Sequence, residues 1–391
     1  MIKRDATRSP RGLLVLLAAL AVGALVLSGC GGSSDSSSSP STAASSSGSG
    51  ESASSGESGS SGASEITIGF DSALDCSNAV VCQMQKAFAA EAEARGVKAV
   101  VLESNVNDLV NNQISNMDQL TSEGVDAIAI WPQDEDALLP PMKRAQEAGI
   151  PVFAHEIYEP SKSGVVTDVL EGRKLVSKQA AEQVCKHAPS GGGEALFGAF
   201  GLPNPGVEIL EKAFEENVGK CDSEVKVTKF LNKTDNVAGA RPTAEAALQN
   251  SSDAFAVAAY NDPTAEGAAL AAEQLGMREQ LFIMGYNLGP EGVEAVEKGR
   301  IDMSWDYRAA VVGQTLAELM IDYVEGTQKN PPKVVTVWPK CYDKANIASH
   351  PSPEEQIEAI KAGTVLSEED PELFQESEEP VDPSSSLPGC E

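Results

Sequence analysis

The sequence predicts an α/β protein of two doubly wound parallel-sheet lobes, and three observations carry that expectation. The stretch Asp253–Gly276, DAFAVAAYNDPTAEGAALAAEQLG, reads as strand, polar corner and helix. Ala254–Ala259 is an almost unbroken apolar run, as in a strand buried on both faces. Tyr260, Asn261 and Asp262 follow, Pro263 suits the first turn of a helix, and Gly276 ends the helix. A second copy lies earlier in the chain: Asp126–Ile130, then Trp131-Pro132-Gln133-Asp134, then a helix with Ala137 and Leu138. The third observation is a regular alternation of strand and helix signals between the two copies and beyond them. Ligands of open α/β sheets bind outside the carboxyl ends of the strands, so two facing corners would form the walls of one cleft.

In chain order, Ile66–Phe70 is the first expected strand, followed by a polar segment to Asn78 and a helix from about Ala79 to Arg95. Val97–Leu102 is the second strand, and Leu109–Ser122 a helix with Val110, Ile114, Met117 and Leu120 near helical spacing. A helix through Met142–Ala148 and the strand Pro151–Ala154 complete the first lobe. The second lobe is expected to open with a helix from about Glu171 to His187. Strand Glu194–Phe200, helix Val207–Asn217, strand Val225–Phe230, helix Gly239–Asn250, the Asp253 unit, strand Leu281–Gly285 and helix Glu291–Lys298 follow. A strand near Ile301–Ser304, a long helix Ala309–Glu325 and a strand Val334–Val337 close the folded part, with parallel sheets throughout.

The ends read differently. Lys3, Arg4, Arg8 and Arg11 precede an apolar run from Leu13 to Leu27, the build of a secretory signal over residues 1–29. It ends in Leu27-Ser28-Gly29-Cys30, which resembles the lipobox of bacterial lipoproteins and implies acylation of Cys30. Residues 31–64 are almost all Ser, Gly, Ala, Thr and Glu and predict a disordered tether. Such a coil would reach roughly 30–35 Å from a membrane surface. Glu368–Glu391, with Glu376-Ser377-Glu378-Glu379-Pro380, reads as a solvated acidic tail.

The formal net charge of −29 excludes nucleic acid as a partner, because phosphate binding needs clustered Lys and Arg. Setting Cys30 aside leaves six of the seven cysteines, an even number in an exported chain, which implies disulfides with 15 possible connectivities. Local geometry favours Cys76 with Cys82 and Cys185 with Cys221, leaving Cys341 with Cys390. No CxxC occurs and His155, His187 and His350 are scattered, so neither a metal nor a cofactor is expected.

The motifs Gly124-Val125-Asp126-Ala127, Pro132-Gln133-Asp134, Ala148-Gly149-Ile150-Pro151-Val152, Asn261-Asp262-Pro263-Thr264-Ala265 and Ile283-Met284-Gly285-Tyr286-Asn287 occur in this order. With them the chain resembles the ribose-binding-protein family, the type 1 periplasmic sugar-binding components of ABC importers, over roughly residues 65–345. The resemblance implies two lobes joined by a three-segment hinge, closing on a small ligand that is handed to a membrane permease. The lobes are expected at about 65–156 with 308–332, and about 157–307 with 333–345, leaving 346–391 as the tail. It also implies that Asp134 and Asn261 hydrogen-bond the ligand, and that Asn287 stands where the family often has Asp. Relatives commonly carry aromatic residues after the first strand and an arginine after the first strand of the second lobe. This chain has Asp71-Ser72-Ala73-Leu74 and Leu202-Pro203-Asn204-Pro205-Gly206-Val207-Glu208 there.

Carboxylates and amides suit sugar hydroxyls, and aromatic faces suit sugar CH groups. The expected ligand-binding set is Asp71, Ser72, Trp131, Asp134, Glu156, Tyr260, Asn261, Asp262, Asn287, Trp305 and Asp306, with Tyr158, Tyr286 and Tyr307 as further aromatics near strand ends. Asp71 and Asp262 suit helix caps equally well. Acceptors outnumber cations, so a sugar, a polyol or a cationic amine is expected rather than an anion. No GxSxG occurs in the folded region, and Gly191-Gly192-Gly193 lacks the Lys of a phosphate-binding loop, so an enzyme is the least favoured reading. A ligand-sensing lipoprotein serving a membrane receptor would share the same cleft. Either way the expected location is the outer face of the bacterial cytoplasmic membrane.

Overall fold

The computed structural model of this protein describes residues 65–157, 160–202, 204–221 and 224–380. The first lobe begins with β1 (Thr67–Asp71), α1 (Ala79–Ala94), β2 (Lys98–Leu102), α2 (Leu109–Glu123), β3 (Ala127–Ile130), α3 (Glu135–Glu147), β4 (Val152–His155), the single turn α4 (Pro160–Ser163) and β5 (Asp168–Glu171). The second lobe follows with α5 (Arg173–His187), β6 (Gly193–Phe200), α6 (Pro205–Val218), β7 (Val225–Asn232), α7 (Val237–Asn250), β8 (Ala254–Ala259), α8 (Asp262–Leu275), β9 (Phe282–Asn287), α9 (Pro290–Glu297) and β10 (Met303–Asp306). The chain then recrosses twice through α10 (Ala309–Glu325), β11 (Val334–Val337) and β12 (Lys340–Asp343), and ends in α11 (Pro353–Lys361) and β13 (Phe374–Ser377).

Two sheets result, ordered β13-β11-β5-β4-β3-β1-β2 and β12-β10-β9-β8-β6-β7. β3 and β8, the two copies singled out by the sequence, are buried along their whole length near the middle of their sheets. In the first lobe Ile68, Phe70, Phe88, Phe153 and Met84 are fully buried in a core that includes α10. α10 and α1 approach so closely that a Cβ at Gly313 would stand 2.1 Å from the Met84 carbonyl oxygen. Only glycine fits there. The second core packs Phe197, Phe214, Tyr286 and Trp305.

Three expectations are corrected. The sheets are parallel except at one edge of each, where β12 runs antiparallel to β10 and β13 antiparallel to β11. Only Trp338 and Pro339 separate β11 in the first sheet from β12 in the second, so the chain passes directly from one sheet to the edge of the other. Residues 168–171 and 334–337, expected within the second lobe, form β5 and β11, which pair with each other in the first sheet, and Glu171 ends β5 instead of opening the helix. Asp168 hides β5 in the sequence: it is fully buried, and its Oδ1 accepts from the Ile157 amide at 3.1 Å. Finally, the described part of the acidic tail, up to residue 380, is folded onto the first lobe. Ser352 caps α11 in a capping box with Glu355, Ile360 is fully buried, and β13 extends the sheet.

Cys76–Cys82 and Cys185–Cys221 are disulfide-bonded, with Cα–Cα distances of 4.4 and 5.1 Å. Cys341 is disulfide-bonded as well, while Cys390, Cys30, the signal and the tether lie outside the described residues.

Candidate functional site

Loops at the carboxyl ends of both sheets face each other. Between them lies a cavity of about 220 Å³, lined by Ser77, Asn78 and Val80 from the first lobe and by Asp235, Asn236, Asn261, Asp262 and Asn287 from the second. Much of its polar wall is made of helix caps. Asn78 accepts from the amides of Val80 and Val81, Asn236 from that of Gly239, and Asn261 from that of Thr264. Helix N-termini are thereby aimed at the cavity, with polar side chains held at fixed positions.

Asp235 is the centre of the second lobe's wall. The Tyr260 hydroxyl and the Asn261 side-chain amide, at 2.6 Å for the latter, both donate to its Oδ1. Burial pushes its carboxyl above the usual range, an effect that these two donors oppose. Asn287, with φ of 93°, presents an Oδ1 without a hydrogen-bond partner among the described residues. The five non-glycine residues with positive φ among the described residues are Glu156, Asp235, Asn287, Leu288 and Arg308, each at or within three residues of the carboxyl end of a strand. Backbone strain of this kind clusters where function over-determines geometry.

At the hinge end, Arg173, the first residue of α5, reaches back to the first lobe. Its Nη2 donates to Glu156 Oε2 at 2.6 Å, its Nε donates to Glu156 Oε1, and its Nη2 stands 3.5 Å from Glu171. The guanidinium lies 4.9 Å over the Tyr307 ring and so close to Gly206 that a Cβ there would be 2.8 Å from its carbon. The loop after β6 lacks an arginine of its own, and Arg173 places one beside it. Burial, then repulsion from Glu156, raises the Glu171 carboxyl well above its ordinary value, while burial depresses His155. His155, Glu156 and Glu171 bring ligating atoms within 4.8 Å of one another. Arg173 already sits on two of these three groups, which disfavours a second cation there.

The expected residues divide. Trp131 borders His155 at 4.6 Å, and buried Gln113 shapes its loop by donating to the Trp131 carbonyl and accepting from the Gln133 amide. Gln133 in turn accepts from Asn204 of the other lobe at 3.4 Å. Asp134 is exposed and caps α3 through the Ala137 amide, so it is Gln133 that meets the opposite wall. Trp305 is 1% exposed with its indole donating to Gln179, a core residue rather than a ligand platform. Ser72 is spent on Leu74 and Gln85. Asp71 is fully buried, takes an amide from Asn116, and is pushed well up by desolvation. Asp262 lines the cavity but is 3% exposed, accepts from Ser304, and is wedged between Gly285 and Gly292. Asp306 sits at the hinge, accepting from the Arg308 amide. The rings of Tyr286 and Tyr307 lie 4.8 Å apart, tilted by 38°, beside Arg173, and Tyr158 lies outside the described residues. Reasoning from sequence missed Asn78, Asp235, Gln133 and Arg173. The polar run Asn232–Asn236 after a strand was the available signal for Asp235.

A profile of the periplasmic binding protein domain matches residues 73–328. The chain belongs to that family. This periplasmic binding protein is 25% identical over 269 residues to the ribose import binding protein RbsB of Bacillus subtilis, covering 67% of this chain and 83% of that one. It is 24% identical over 271 residues to the fructose import binding protein FruE of Bifidobacterium longum, covering 67% of this chain and 79% of the other. Among solved structures, an ABC transporter solute-binding protein of Actinobacillus succinogenes with bound D-allose superposes with a TM-score of 0.67 at 18% identity, over 73% of this chain and 100% of that one. A Mycobacterium smegmatis protein in complex with β-D-fucofuranose gives a TM-score of 0.67 at 19% identity, over 80% of this chain and 99% of that one. At such identities the structural likeness concerns the fold, and the two-lobed α/β architecture is common to them.

Buried carboxyls give this periplasmic binding protein a pH-dependent stability. Desolvation raises Asp168 and Asp262 from 3.8 to about 7, and Glu318 from 4.5 to about 8. A raised carboxyl binds its proton more tightly folded than unfolded, so between about pH 4 and the folded value the native state holds the extra proton. Stability therefore falls as pH rises through that window and levels off above it. The melting temperature is expected to be several degrees higher at pH 5 than at pH 8, measured by differential scanning calorimetry. Equal values, or a higher one at pH 8, would count against these assignments.

Proposed function

We propose that this chain is a lipid-anchored, extracytoplasmic solute-binding protein that captures a sugar or polyol between its lobes and delivers it to an ABC transporter permease. The observation that carries this reading is the cavity between two parallel-sheet lobes, walled by caps and carboxylates at the strand ends. Its polar atoms match hydroxyl groups, which donate and accept at once. Relatives named for ribose and fructose import support the ligand class and the transporter. Asp235 and Asn287 on one wall, and Ser77 and Asn78 on the other, are the proposed ligand contacts, with Asn261 and Tyr260 orienting Asp235 and Glu156 and Arg173 closing the hinge end.

A thermal-shift screen of pentoses, hexoses, inositols and amines tests the reading, since a ligand at 100 times its dissociation constant stabilises by about 2.7 kcal/mol. For the compound selected, Asp235→Ala and Asn261→Ala should each weaken binding by about 1–3 kcal/mol in calorimetry. Parent-like affinity in both variants would refute the assignment of this wall. The anchor rests on the lipobox and has its own test: palmitate labelling that persists in Cys30→Ala would exclude it.

A further inference from the structure

The three hinge crossings of this chain are gripped by a fourth. After β12 in the second sheet, residues 344–352 return to the first lobe, where α11 and β13 dock. Further along the same C-terminal segment, one turn between α11 and β13, Asp370–Leu373, contacts elements of every other crossing. At the crossing from β10 to α10, Arg308 Nη1 donates to the Leu373 carbonyl at 3.1 Å and its Nη2 stands 3.5 Å from Asp370. At the crossing from β11 to β12, the Trp338 amide donates to the same carbonyl at 2.9 Å, and Lys340 Nζ donates to Asp370 at 3.0 Å. At the crossing from β5 to α5, Leu175 packs with Trp338 and the fully buried Leu373 in a cluster of their own. Gly172 lies so near Trp338 that a Cβ would stand 2.3 Å from its ring.

We propose that this C-terminal segment is a clasp that limits how far the two lobes open. Hinge opening works by changing backbone dihedrals in a few residues at the crossings. Here those residues share a buried side chain and two acceptor groups supplied by one turn, so a large change in any crossing breaks contacts made by the others. The clasp narrows the open ensemble of the unliganded protein, and thereby the conformational cost of closing on a ligand.

The test uses the full folded chain without ligand, spin-labelled at Lys143→Cys on α3 and Lys212→Cys on α6, positions whose side chains are 74% and 80% exposed. Asp370→Asn removes the charge from a partly exposed carboxylate and leaves the core intact, and Leu373→Ala removes the apolar contact. Double electron–electron resonance should give a narrow interlobe distance distribution for the labelled parent. Both variants should give a broader one extending to longer distances, at unchanged helix content by circular dichroism. Distributions in Asp370→Asn and Leu373→Ala that superimpose on the parent's would overturn the clasp. So would broadening matched by equal loss of helix, which would mean general unfolding.

Discussion

Replacing Arg173 by methionine is expected to cost about 3–5 kcal/mol of folding stability at neutral pH, the usual penalty for removing one partner of a buried ion pair. The side chains of Arg173 and Glu156 are 8% and 3% exposed, and Glu171 is 1% exposed beside them. Methionine fills much of the volume, so the loss would be electrostatic rather than a cavity. Without the guanidinium, Glu156 loses both of the hydrogen bonds that Arg173 donates to it and must ionise next to Glu171 or stay protonated. The penalty should therefore shrink in acid, where protonation is easy, giving a parent-to-variant gap in urea midpoints that is smaller at pH 5 than at pH 8. A cost below about 1 kcal/mol at pH 8 would show that the pair is solvated in a way this packing does not allow.

The second large effect concerns the Cys185–Cys221 bridge, which ties the C-terminal turns of α5 to the end of α6 across a sequence separation of 36. Closing a loop of that size removes unfolded-state entropy worth about 4 kcal/mol at room temperature, against about 2 kcal/mol for the Cys76–Cys82 bridge with its separation of 6. Paired replacement of Cys185 and Cys221 by serine should lower the urea midpoint more than paired replacement of Cys76 and Cys82. The reverse order would mean that native-state contacts, not loop length, set the contribution.

The lobes were legible because their central strands are apolar from end to end. Ala127–Ile130 and Ala254–Ala259 read as doubly buried strands, and the structure puts them near the middle of their sheets. β5 was not legible because its first residue, Asp168, is a buried carboxylate, and a charge in a four-residue strand erases the apolar pattern. The same kind of signal misled at the tail. Clustered Glu and Pro suggested solvent, although Ser352-Pro353-Glu354-Glu355 is the start of a capped helix whose Ile360 is fully buried.

At the site, sequence located the corner containing Tyr260 and Asn261 but not the carboxylate that both serve. Asp235 lies in an aperiodic loop after β7 and meets them only because the sheet order sets β7 and β8 on either side of β6. Arg173 was invisible for another reason: it reads as an ordinary residue in a helix, and its importance comes from the crossing that carries it between Glu156 and Gly206. Trp305 shows the converse error, since a tryptophan at a strand end satisfied its indole inside the core through Gln179.

The central claim is that the lobes close on a small polar ligand held at Asp235. Small-angle scattering with and without a saturating concentration of the sugar or polyol selected by the thermal-shift screen tests it most directly, in the parent and in Asp235→Ala. The account predicts that ligand reduces the radius of gyration of the parent, and that Asp235→Ala needs five-fold to 150-fold more ligand to compact, the equivalent of about 1–3 kcal/mol. A parent that binds the compound with no change in radius, together with an Asp235→Ala variant that binds it equally well, would contradict the account.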